Sequence, residues 1–277
     1  VNNIVNMTVV SNDSNDFRAE YRAGFVQGRL QGKLIISARD NNWDSSYLVD
    51  PSHSFPKQIG PTNEELKKAE IILRANYDAF IEYLKNSNID NDVRNKLKRL
   101  LFRMLGIYHG VVLNQPASIE FSGSWLPDSR YFTEQELSLG YETSTLTFMD
   151  VYYVNAYMDL MDIVSFSPEL TGGRHYDFPG KCSAFIKRTD KEILITHNSW
   201  TSYLSQTMTQ TVAVNGDIVT LNAISPGQIG SNTDFGYNNK GIIFNETTHR
   251  VSQSQVKPNG IFLIWRATLA ETFSKSI

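Results

Sequence analysis

Two hydrophobic periods divide this chain. Up to about residue 165 the apolar residues recur at intervals of three and four, the period of a helix with one buried stripe; beyond Gly180 they alternate in twos, the period of a strand. Leu66, Ala69, Leu73, Tyr77, Phe80 and Leu84 form one stripe, opened by a capping box in which Thr62 is followed three residues later by Glu65. Asp90 is placed to start a second helix, with Val93, Leu97, Leu100, Leu101, Met104, Tyr108 and Val111 inward. The opposite side carries Arg94, Lys96, Lys98, Arg99 and Arg103, a charge run that reads as a solvated face. Residues 17–34 predict an earlier helix with Gly24, Gly28 and Gly32 on one line. Each Gly costs about 1 kcal/mol relative to Ala in a helix interior, so that line implies another element approaching closely. Residues 148–164 are apolar on most sides, with Asn155, Asp159 and Asp162 in a polar row. They predict a buried helix whose carboxylates cap neighbours or bond backbone rather than act as an acid/base pair.

After Cys182 the strands come in hairpins. Residues 183–188 and 193–197 are joined by the polar turn Thr189-Asp190-Lys191-Glu192, and 207–214 and 217–222 flank Asn215-Gly216, the preferred pair for a type I′ turn. Ser225-Pro226-Gly227 marks a further turn, 241–245 another strand, and 261–273 a terminal helix. Helices followed by antiparallel hairpins predict an α+β fold with the sheet in the middle. The expected organisation is a mostly helical segment 1–181 and a strand-rich segment 182–277 within one domain.

Composition narrows the chemistry. With 41% hydrophobic and 20% charged residues over 277 positions, the chain is an ordinary globular sequence. A net charge of -3 provides no basic field for nucleic acid. Residues 148–164 are the best membrane candidate, but Asp150, Asp159 and Asp162 would each cost about 2.5–3.5 kcal/mol near a bilayer centre. His53, His109, His175 and His249 stand on separate segments without ligand spacing, so no metal is expected. With no Gly-rich loop opening a helix after a strand no nucleotide is expected either, and no cofactor is called for. Asn6, Asn12 and Asn245 each begin a glycosylation acceptor triplet, which leans toward a secretory or lysosomal route.

Cys182 is the only cysteine. It follows Pro179-Gly180-Lys181 at the head of a strand, and His197-Asn198-Ser199-Trp200 follows it by one hairpin. Antiparallel pairing would set Cys182 and His197 at the same end of neighbouring strands. If the Lys181-Cys182 bond is cut, Cys182 becomes a chain terminus with its own α-amine beside the thiol as base. An imidazole nearby can hold the thiolate or carry its proton.

The run Gly180-Lys181-Cys182-Ser183-Ala184-Phe185-Ile186-Lys187, followed by Ile193-Leu194-Ile195-Thr196-His197-Asn198-Ser199-Trp200-Thr201-Ser202-Tyr203, resembles the phospholipase B-like family. These are lysosomal N-terminal-nucleophile hydrolases related to the lamina ancestor protein. Ala23-Gly24-Phe25, the helix around Asn155, Ser225-Pro226-Gly227, Asp234-Phe235 and Gly241-Ile242-Ile243 fall in the order that family gives them. The resemblance implies a four-layer αββα sandwich and autoproteolysis at Lys181-Cys182. It also implies Cys182 as nucleophile, with His197 and Trp200 lining the site. It aligns this chain with roughly the N-terminal half of a single large domain. The C-terminal remainder of the precursor, or a second chain, is then expected to complete the sheets and supply an oxyanion-hole Asn and an Arg. The implied activity is deacylation of phospholipid or another lipid ester in a lysosomal or secreted setting. An N-acyl amide hydrolase and a catalytically silent secreted or storage protein are the alternatives.

Overall fold

The computed structural model describes residues 6–44, 48–49, 63–138, 146–165, 175–176, 182–199, 207–216, 218–231, 235–246 and 261–275. Its helices are α1 (Asp16–Asp44), α2 (Asn63–Lys85), α3 (Asn91–Val112), α4 (Ser129–Ser138), α5 (Phe148–Ser165) and α6 (Leu263–Phe273). The strands are β1 (Asn6–Ser11), β2 (Leu48–Val49), β3 (His175–Tyr176), β4 (Ser183–Arg188), β5 (Ile193–Asn198), β6 (Met208–Val214), β7 (Ile218–Ile224), β8 (Phe235–Asn238) and β9 (Ile243–Asn245). This is an α+β fold. The main sheet has the order β1-β6-β7-β8-β9, with β1 parallel to β6 and the other neighbours antiparallel. β2 with β3, and β4 with β5, form separate two-stranded ribbons.

The predicted hairpin between β6 and β7 is present, with Asn215 at φ 54° and Gly216 at φ 70°, the paired positive values a type I′ turn requires. Asp90 caps α3 by accepting from the backbone N–H groups of Asp92 (2.8 Å) and Val93 (3.1 Å). The side chains of Thr62 and Glu65 lie outside the described residues.

The glycine line on α1 meets a second one on α3. A Cβ at Gly24 would fall 2.0 Å from the Arg103 carbonyl oxygen, and one at Gly28 2.1 Å from that of Ile107. Reciprocally, a Cβ at Gly106 would fall 2.1 Å from the Tyr21 oxygen and one at Gly110 2.1 Å from that of Phe25. The two helices therefore touch backbone to backbone, and glycine at all four positions is a steric requirement. Beside this seam Arg103 forms a buried 2.6 Å ion pair with Glu20, while Arg99 reaches Asp16 (3.0 Å) and Glu20 (3.2 Å). The expectation of a solvated basic face on α3 is therefore wrong for Arg103 and Lys98. Both are buried because α1 and the 113–127 segment lie across that side, and Lys98 Nζ donates to the Gly123 carbonyl.

Between α1 and the sheet runs a layer of amides. Gln27 donates to the Gln228 carbonyl (2.9 Å) and accepts from Gln210 (3.1 Å), and Gln31 accepts from the Gly227 N–H (2.9 Å). Asn155 of α5 accepts from the Ile229 N–H (2.8 Å) and donates to the Gly227 carbonyl (2.9 Å). Together they hold the turn after β7 by satisfying its backbone groups. The α5 carboxylates behave as expected of capping groups. Asp150 accepts from Thr147 N (2.8 Å), and both Asp159 oxygens accept from Leu263 N at the start of α6 (2.9 and 2.8 Å). The Asp162 side chain lies outside the described residues. Aromatic stacking closes the helical core, with Phe132 on Phe148 at 3.6 Å and Phe80 on Trp265 at 4.1 Å between ring centres.

His109 is buried on the α1–α3 seam. Tyr21 Oη accepts from Ala117 N (2.9 Å) and lies 2.9 Å from His109 Nδ1, while the Gln135 amide sits against His109 Nε2, with the amide Nε2 at 2.9 Å and Oε1 at 3.2 Å. Burial pushes its pKa down to about 4, partly opposed by the Gln135 hydrogen bond.

Two outcomes follow from this packing. Gly106→Ala should lower stability by about 3 kcal/mol, whereas Gly32→Ala, with only Val111 Cγ1 at 3.7 Å, should be neutral or stabilising by up to about 1 kcal/mol. Urea midpoints of the two variants measure the contrast. For His109, the unfolded chain binds the extra proton between pH 6.5 and about 4 and the folded chain does not. Its contribution, about 3 kcal/mol by linkage, is full above pH 6.5 and is lost as pH falls toward 4. His109→Gln should flatten stability against pH in that window, as read by urea titrations at successive pH values.

Candidate active site

Cys182 lies directly before β4, half-buried. In the β4–β5 ribbon Ser183 pairs with Asn198 and Ala184 with His197. Opposed residues share a face and alternate residues return to it, so His197 lies on the face of Ala184 and of Cys182. The register thus brings Cys182 and His197 to one end and one face of the ribbon. Lys181 and Trp200, the other two residues singled out there, lie outside the described residues.

His197 is held on both sides. Its Nε2 is 2.7 Å from the Glu246 carbonyl oxygen and its Nδ1 is 3.2 Å from Ser199 Oγ. A carbonyl can only accept, so the proton sits on Nε2. The Nδ1 lone pair then accepts from the Ser199 hydroxyl. Asn245 adds a second tie from the end of β9, donating from Nδ2 toward the Thr196 carbonyl at 3.5 Å. The ribbon is thereby anchored to the main sheet at the end where Cys182 stands.

Elsewhere the ribbon is uncovered by any described residue. Ala184, Ile186, Ile193 and Ile195 share the Cys182 face; Phe185 and Leu194 occupy the other. Ile186 is 65% exposed and Ile193 61%, while Phe185 is 57% exposed on the opposite side. The Cys182 face is therefore largely apolar and open, while the other mixes Phe185 and Leu194 with Ser183, Lys187, Thr196 and Asn198. Neither the glutamate carbonyl nor the serine contact was anticipated. Ser199 stands inside the quoted motif, but a contact made by the Glu246 backbone leaves no side-chain signal in the sequence.

The remaining sites are dispersed. Asn6 is exposed on β1 and its side-chain oxygen accepts from Thr209, Asn12 is exposed in the following loop, and Asn245 is half-buried against β5. His53 and His249 lie outside the described residues. Among the described residues no group of three His, Cys, Asp or Glu side chains is placed to hold a metal ion. No helix there is long and apolar enough to cross a membrane.

These features belong to an α+β protein whose one thiol and one imidazole share the root of a hairpin, a layout suited to acyl transfer. The phospholipase B family matches residues 133–276, just over half of the chain, and runs from within α4 through the whole of α6, with the whole ribbon. The chain belongs to the phospholipase B family, and membership points to a hydrolase acting on lipid ester bonds. No curated protein matches it significantly.

Proposed function

We propose that this chain forms part of a cysteine N-terminal nucleophile hydrolase that removes acyl groups from phospholipid or related lipid esters after cleavage at Lys181-Cys182. The register that puts Cys182 and His197 on one face of the ribbon carries the proposal. In the cut protein the Cys182 thiol passes its proton to its own α-amine and attacks the ester carbonyl. The tetrahedral adduct collapses as the ammonium returns that proton to the leaving alkoxide, and water then hydrolyses the thioester to acid and thiol. His197 and Trp200 shape the pocket.

The open ribbon supports the rest. A strand pair whose open Cys182 face carries Ala184, Ile186, Ile193 and Ile195, with Phe185 and Leu194 exposed behind it, suits a position against a further layer. The proposed fold is accordingly a four-layer αββα sandwich, with the ribbon covered by the C-terminal remainder of the precursor or by a second chain. That part would also bring the oxyanion donors, each worth about 2.7–4 kcal/mol in the transition state. Segments 1–181 and 182–277 would remain one domain after the cut, an arrangement supported by the pairing of β1 with β6 across the division. The three acceptor asparagines favour a lysosomal or secreted location.

Hydrolysis of a panel of phospholipids, acyl esters and N-acyl amides by the mature protein tests the activity. Cys182→Ala should reduce ester turnover by about 10³-fold or more. Equal turnover by that variant would eliminate the thiol mechanism, and preference for the amides would move the substrate class.

A further inference from the structure

The proposed mechanism leaves its own first step without a base. Before the cut, the Cys182 nitrogen is a peptide nitrogen with no basic lone pair, so it cannot deprotonate the thiol. The ribbon holds another acceptor. His197 is fixed as the Nε2–H tautomer by the Glu246 carbonyl at 2.7 Å, which leaves Nδ1 as its basic nitrogen. That nitrogen is turned toward Ser199 Oγ at 3.2 Å. Ser199 stands one step past the Ser183–Asn198 pair, where continuing the ladder by one residue would set it opposite Cys182. Continued alternation would place it on the face of Cys182, and its contact with His197 sets it on that side.

We infer that Ser199 and His197 form the proton relay that activates Cys182 for self-cleavage of the uncut chain, with the Glu246 carbonyl as the positioning group. This inference rests on the cleavage proposed above. The thiol gives its proton to Ser199 Oγ as the Ser199 hydroxyl proton moves to His197 Nδ1, leaving a thiolate and an imidazolium. The thiolate attacks the Lys181 carbonyl carbon. As the bond from that carbon to the Cys182 nitrogen breaks, the proton returns along the same route to the leaving nitrogen, and the Lys181 acyl group rests on sulfur as a thioester. Water then hydrolyses the thioester, freeing the Lys181 carboxylate and the Cys182 thiol and amine. Once the α-amine exists it takes over as base, so Ser199 acts in maturation and is dispensable for proton transfer in turnover.

The test follows the appearance of a Cys182-headed fragment in the protein as synthesised, across pH. Ser199→Ala and His197→Gln should each slow it about 10²-fold, the lower end of general acid–base effects, and displace its pH profile. Ser199→Thr, which keeps the hydroxyl, should restore the wild-type rate. Hydroxylamine, which cleaves thioesters, should leave Ser199→Ala slow because the block precedes the thioester. A wild-type rate and pH profile in Ser199→Ala, or rescue by hydroxylamine, would overturn the relay while leaving the hydrolase proposal standing. A wild type that never yields the fragment would instead overturn the hydrolase proposal and the relay with it. A reading independent of Ser199 variants comes from the Cys182→Ala precursor, which cannot cut itself. Long-range proton–nitrogen spectra should find His197 protonated on Nε2, and an Nδ1–H tautomer would overturn the relay.

Discussion

A two-stranded ribbon that leaves aliphatic and aromatic side chains open is unstable alone in water, since hairpins need a third strand or a packed layer to persist. β4 and β5 are such a ribbon, and Cys182 stands at its root. Their position therefore depends on what ties them down. Among the described residues the ties are the His197 bond to the Glu246 carbonyl and the Asn245 bond toward Thr196, both at the Cys182 end. The same contact that orients the imidazole also joins the ribbon to the main sheet. Geometry at the candidate site and attachment of the ribbon are in this sense one interaction.

Behind the ribbon lies a stiffer body. α1 and α3 meet along four glycines with no side chain between them, and α1 carries the amide layer that satisfies the turn after β7. From β7 the sheet continues through β8 to β9, whose end supplies Asn245 and Glu246. The glycine seam, the amide hydrogen bonds and the sheet pairing thus connect the α1–α3 body to the imidazole.

Much of this was legible in the sequence because it is local. The 3.6 period located α2, α3 and α5; Asp90 marked its cap; Asn215-Gly216 marked its turn; and the hairpin length brought Cys182 and His197 to one end. The glycine line announced a close approach without naming its partner, since the facing glycines lie on a different helix. What escaped is non-local. β1 has no adjacent hairpin and pairs in parallel with β6, distant in the chain, so no turn signal betrays it. Arg103 looked like surface because its charge is countered by Glu20 on another helix. The Glu246 carbonyl was invisible because any residue carries one.

The central chemical claim is that a single residue supplies both nucleophile and base in the working protein. Peptide mapping with N-terminal sequencing of the purified, catalytically active molecule tests it most directly. A polypeptide beginning at Cys182 is predicted, held to the preceding segment without a covalent link. Activity from molecules whose backbone runs uninterrupted through Lys181 and Cys182 would contradict it.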